Sequence, residues 1–281
     1  MKQLLVPVLF LVCMQQVNAQ KKYLPSERIY DISYGSFPSS QLDLYLPVNR
    51  TKETPFVIVI HGGGWVAGDK KGDRGSQQIL MEQGIASANI NYRFVDSLNT
   101  HYPAMLADID SAVNFCIANA AKWQTRPENF VFMGASAGGH LALLYPYLYN
   151  RKVNSIIAEC APADLADTAM LHYETTNGLL NIIFKMAGAT WKPGEAVDPK
   201  FIASSPIYHI KNIPTLIVHG TKDRTVPFAQ AVKLHDKLSS MKIPNKLITL
   251  QGADHDLNIK DMPTRTMIYK EIADWIWMYN K

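Results

Sequence analysis

The chain has 281 residues, 47% hydrophobic and 19% charged, with 28 basic and 24 acidic side chains and a net charge of +4. That length holds one large α/β domain or two small ones, and the composition is that of an ordinary globular protein. The basic excess is small and mixed with acids, which argues against a nucleic-acid partner. The longest basic cluster, Lys70, Lys71 and Arg74, is broken by Asp69 and Asp73 and reads as a solvated loop.

The N-terminus, MKQLLVPVLFLVCMQQVNAQ, sets Lys2 before the apolar run Leu4–Cys13 and closes on Val17-Asn18-Ala19. This is a secretory signal layout, too short to span a bilayer, with cleavage expected after Ala19. Val12 is too bulky for a lipid-attachment signal at Cys13. The expectation is therefore a signal segment over residues 1–19, a single domain over 20–281, and a secreted or periplasmic protein. No later segment reaches transmembrane length. Oligomeric state is not legible.

Gln41–Pro47 alternates strictly, with Leu42, Leu44 and Leu46 on one side and Asp43 and Tyr45 on the other, predicting a half-buried antiparallel strand. Later runs are continuously apolar: Phe56–Ile60, Ile85–Ile90, Phe130–Met133, Ser155–Ala158, Thr215–Val218 and Lys246–Leu250. Continuous runs fit parallel strands covered on both faces. Ala104–Lys122, Leu141–Tyr149, Ala229–Ser239 and Met267–Tyr279 read as helices between and after them. The fold class predicted is α/β, a mostly parallel doubly wound sheet with antiparallel N-terminal strands. Residues 162–205 break the rhythm, with no clear strand, and read as a small helical insertion over the sheet. Cys116 and Cys160 read as buried small apolar residues. No cysteine or histidine spacing suggests a disulfide framework or a metal, and no cofactor is expected.

Phe130–His140 is FVFMGASAGGH, a strand running into G-x-S-x-G. Such a turn throws the Ser136 hydroxyl clear of the sheet edge, with the following helix pointing its positive end at the same spot. A serine nucleophile needs a base, and the base needs an acid to orient it. His255 lies in a polar loop after the last apolar run. His172 falls in the insertion, His209 before a strand, His219 at a strand end, and His235 within a helix. Asp223, after the preceding strand, is the preferred acid, with Asp164 as the rival. Asp254 and Asp256 flank His255, and adjacent side chains point apart. The run VIVIHGGGW matches neither phosphate-binding glycine pattern. It fits a loop whose N–H groups meet that of the residue after the nucleophile. Gly63, Gly64 and Ala137 are therefore the expected oxyanion donors, with His61 holding the loop and Trp65 as a pocket wall.

HGGGWVAGDK, YPAMLADIDSAV, GASAGGHLA, HGTKDRTVPF and GADH together resemble the α/β-hydrolase superfamily, most closely its secreted bacterial feruloyl and acetyl-xylan esterase-like branch. The likeness runs from about Ile32 to the C-terminus. It implies a serine carboxylic ester hydrolase with Ser136, Asp223 and His255 as triad, deacetylating or deferuloylating plant polysaccharide. The Trp after the glycines is shared with kynurenine formamidase-like members, which keeps an amidase in view. A secreted peptidase of the same fold is a further reading, although this chain lacks room for the usual extra domain. A catalytically silent binding module would predict a broken triad, and all three positions are filled.

Overall fold

The computed structural model describes residues 23–96 and 100–280. The expected signal segment lies outside the described residues. Eight strands form one sheet in the order β1-β2-β4-β3-β5-β6-β7-β8. They are β1 Glu27–Ser33, β2 Gln41–Leu46, β3 Phe56–Ile60, β4 Ala86–Ile90, β5 Phe130–Ala135, β6 Val153–Glu159, β7 Thr215–Gly220 and β8 Asn245–Leu250. β1 and β2 pair antiparallel with their neighbours, and β3 to β8 are parallel.

Helices cover both faces, as the apolar runs predict. They are α1 Arg74–Glu82, α2 Tyr102–Trp123, α3 Ala137–Leu148, α4 Thr168–Asn177, α5 Leu180–Ala187, α6 Pro199–Ala203, α7 Ala229–Ser240 and α8 Met262–Met278. Strand alternation divides the core. Phe56, Ile58 and Ile60 of β3 pack with α2 and α3, while Val57 and Val59 pack on the opposite face with α8. Helix α3 crosses the sheet centre and is buried at every position but Leu148. The insertion is helical: α4, α5 and α6 lie between β6 and β7, with α4 capped by the Asp167 side chain and closed by left-handed Gly178.

Three expectations are corrected. β2 is buried on both sides, because a charged cluster covers its second face: Asp43 bonds Lys70 Nζ at 2.9 Å and Arg74 Nε at 2.7 Å. Lys70 consequently belongs to no solvated loop. Its side chain is fully buried and also reaches Asp31 at 2.5 Å. β8 is an edge strand, with only Leu250 buried, so its apolar run is covered incompletely.

Candidate active site

The strands deliver the candidate residues to one edge. Ser136 follows β5, Asp223 follows β7, His255 follows β8, and the glycine loop follows β3, all at carboxyl ends of parallel strands. That is where ligands sit in open α/β sheets. Ser136 has φ 55° and ψ −122°, outside the regions an L-residue prefers. Its N–H donates to the Glu159 carbonyl at 2.8 Å, and its carbonyl accepts from His140 N–H at 3.0 Å. α3 starts at Ala137, so the small residues Ala137, Gly138 and Gly139 form its first turn rather than a preceding loop. A Cβ on Gly138 would stand 2.0 Å from the Ile60 carbonyl, so the glycine is what lets α3 cross β3 so closely.

Asp223 Oδ2 accepts from His255 Nδ1 at 2.8 Å. A carboxylate only accepts, so Nδ1 carries the proton and Nε2 keeps its lone pair as a base. Asp223 Oδ1 accepts from the N–H groups of Thr225 and Val226, both at 2.8 Å. Burial alone would raise this acid. The hydrogen bonds from His219, His255 and Val226 N–H outweigh burial and hold it well below the usual carboxylate range. Asp164, the rival, sits elsewhere: it lies 3.6 Å from Lys233. Asp254 accepts from the N–H groups of Arg224 and His255 and shapes the loop instead.

His219 is the residue the sequence reading missed. It is fully buried, and its Nε2–H lies between Asp223 Oδ2 at 3.1 Å and the Val226 carbonyl at 2.9 Å. It holds the acid at Oδ2, the same carboxylate oxygen that receives His255. The signal was its place at the end of an apolar strand, four residues before Asp223. Cys160 is buried as expected, but it also lines the cleft, and its Sγ approaches the His255 carbonyl at 3.5 Å. Sγ of Cys160, His219 and Asp223 offer ligand atoms within 4.8 Å of one another. The Asp223 oxygens are already met by N–H donors, so this trio holds together without an ion.

The glycine loop folds over the same edge. Gly63 has φ 116°, and a Cβ there would meet the Ala67 carbonyl at 2.1 Å. Its carbonyl accepts from the N–H groups of Val66 and Ala67, closing a tight turn. Among the described residues no acceptor takes the N–H groups of Gly63 or Gly64. Ala137 N–H, in the first turn of α3, has no intrahelical partner either. All three residues line one cleft with Ser136 and His255. His61 holds the loop as expected, through Nδ1 at 2.7 Å from the Gly62 carbonyl and a ring stacked 4.5 Å from Tyr92.

The cleft encloses about 570 Å³. Trp65 forms one wall and donates from Nε1 to His140 Nδ1 at 3.3 Å. His140 Nε2 lies 2.7 Å from the Ser204 carbonyl and donates to it, tying the foot of the insertion to the glycine loop. Burial pushes this imidazole down to about 4, so it stays neutral. Met170, Leu179, Ile182 and Ile183 of the insertion supply the roof.

This sheet, with a strained Ser turn after its central strand and a His–Asp pair beyond the last two, is the architecture of an α/β-hydrolase. Residues 42–238 match the family described as BD-FAE, and the chain belongs to that family. A probable isoprenylcysteine alpha-carbonyl methylesterase of Arabidopsis thaliana is 27% identical over 259 residues, 82% of this chain and 51% of that protein. The probable carboxylic ester hydrolase LipM of Mycobacterium tuberculosis is 26% identical, over 74% of this chain and 51% of its own length. The chain thus spans about half the length of these relatives. A truncated carbohydrate esterase from gut microbiota shares the fold at TM-score 0.73 and 21% identity, covering 93% of this chain and 98% of that one. An inhibited esterase B from Lactobacillus rhamnosis does so at 0.75 and 18%, covering 91% and 87%.

Proposed function

We propose that this protein is a serine carboxylic ester hydrolase that releases acetyl or hydroxycinnamoyl groups from plant polysaccharide. The observation that carries the reading is the 2.8 Å Asp223–His255 bond, set beside a strained Ser136 in one cleft. Ser136 Oγ attacks the acyl carbonyl while His255 Nε2 takes its proton. Asp223 fixes the tautomer and stabilises the imidazolium. The N–H groups of Gly63, Gly64 and Ala137 receive the developing oxyanion. The alcohol leaves with the proton from His255. Water then attacks the acyl-enzyme, giving its proton to the same nitrogen, and the acid is released.

The carbohydrate side of the proposal draws support from family membership and from the fold shared with a carbohydrate esterase. The apolar roof and Trp65 suit an acyl chain or ring. Export outside the cytoplasm is part of the same reading and rests on the N-terminal pattern.

Turnover of acetylated xylan, methyl ferulate and p-nitrophenyl esters of rising chain length tests the proposal. Ser136→Ala is expected to lower the rate about 10⁶-fold. Full activity in that variant, or no cleavage of any ester by the natural chain, sinks it.

A further inference from the structure

Among the described residues the cleft lining includes four carboxylic acids, Asp73, Glu159, Glu174 and Asp256, and no lysine or arginine. The proposed ester chemistry uses none of them. Two gather on one side of the sheet. Glu159 ends β6 opposite Ala135 of β5, one residue before the nucleophile, and alternation sets its side chain on the face of Ile157, toward α8. Asp73 caps α1 without giving its side chain to the helix. The Ser76 and Tyr269 hydroxyls, bonded to each other, line the same cleft.

The Glu159 side chain is buried, at 5% exposure, and its Oε1 has no partner. No side-chain hydrogen bond is made by either carboxyl among the described residues. The titratable groups facing Glu159 are Asp73, Tyr269 and Cys160; none is a cation. Burial, with the Asp73 charge second, pushes Glu159 up to about 8, and burial pushes Asp73 up to about 6. A buried acid with an unmet oxygen, set beside a half-buried second acid, costs stability unless something else supplies the donors.

We propose that Glu159 and Asp73 form a cation subsite in the cleft, taking a primary ammonium group whose hydrocarbon part lies along the apolar walls. An ammonium brings three donors and no acceptor, which matches carboxylate oxygens. A divalent metal would ask for about six oxygens or more, and two carboxyls fall short. An anionic ligand meets repulsion here. The subsite goes beyond ester hydrolysis and is read by binding, so a chain that cleaves no ester still tests it.

The experiment is calorimetric titration of the full chain with n-butylammonium, against 1-butanol as the neutral counterpart, at pH 7 and pH 9. Alkylammonium ions keep their charge at both values, like a lysine amine at about 10.4. Tyr269 and Cys160, raised by burial, stay neutral throughout. An acid at about 8 gains about tenfold in ionised fraction over that interval. Butylammonium is therefore expected to bind about tenfold tighter at pH 9 and to release a proton at pH 7. Butanol is expected to bind more weakly at both pH values, with no such dependence. Glu159→Gln should bind butylammonium more weakly and lose the pH dependence; if that variant does not melt cooperatively, Asp73→Asn replaces it and should likewise weaken binding. Equal affinity for alcohol and amine, a flat pH profile in the natural chain, or no binding of butylammonium at millimolar concentration overturns the proposal.

Discussion

Asp223 and Glu159 sit near one another at the sheet edge and titrate in opposite directions. Asp223 is lowered by its donors, so its contribution is present above its ordinary value of 3.8 and is lost as the pH falls toward the folded value. Glu159 is raised from 4.5 to about 8. Below pH 4.5 it is protonated in both folded and unfolded chains and costs nothing. As the pH rises toward 8, the unfolded chain gives up a proton that the folded chain keeps, so stability falls. Glu159→Gln is expected to stabilise the fold at pH 8 by about 2–4 kcal/mol and to make no difference near pH 4. Melting curves at the two pH values check this, and a variant no more stable than the natural chain at pH 8 contradicts it. The same substitution is expected to weaken ammonium binding, so stability and recognition pull against each other at this one side chain.

The glycine loop shows the same economy at the level of an element. Gly63 lacks a side chain because its own turn leaves no room, and the free N–H groups are the product of that turn. Gly63→Ala puts a Cβ 2.1 Å from the Ala67 carbonyl at a φ of 116°. The loop must shift, and kcat is expected to fall about 10²–10³-fold, as for a lost oxyanion donor. Steady-state kinetics on a p-nitrophenyl ester reads the loss; an unchanged kcat would mean that Gly63 N–H takes no part. Much of this element was legible in the sequence. Three glycines after an apolar run, and glycines on both sides of Ser136, are backbone requirements written directly as residue types. The parallel strands were legible because a strand covered on both faces must be apolar throughout. β1 was missed because most of its residues are exposed and carry no apolar pattern. The burial of β2 was misread because its polar side is covered by charges, which periodicity counts as solvent. Glu159 was passed over because an acid at a strand end looks like the start of a loop.

Across the whole molecule, Lys70 joins parts far apart in sequence. It ties the irregular stretch of β1, where Asp31 has φ 56°, to Asp43 of β2, immediately before the segment that leads into α1. Lys70→Met leaves Asp43 with Arg74 and removes the fully buried positive charge. Breaking a buried pair by removing one partner costs about 3–5 kcal/mol. The midpoint of urea unfolding is expected to fall accordingly, and an unchanged midpoint would show that the cluster adds nothing over hydrophobic packing.

His140 has a different reach. One ring nitrogen receives Trp65 and the other gives its hydrogen to the Ser204 carbonyl, so a single neutral imidazole bolts the end of the insertion to the wall of the cleft. Between β6 and that bolt, Met170, Ile182 and Ile183 line the cleft, while Leu165, Leu171, Met186 and Phe201 are buried in the core that underlies it. The insertion is in that sense a fixed visor: its underside rests on the core and its end is seated on the His140 ring, so exchanging the side chains it turns toward the cleft changes the surroundings of a guest while Ser136, Asp223 and His255 stay on their own strands.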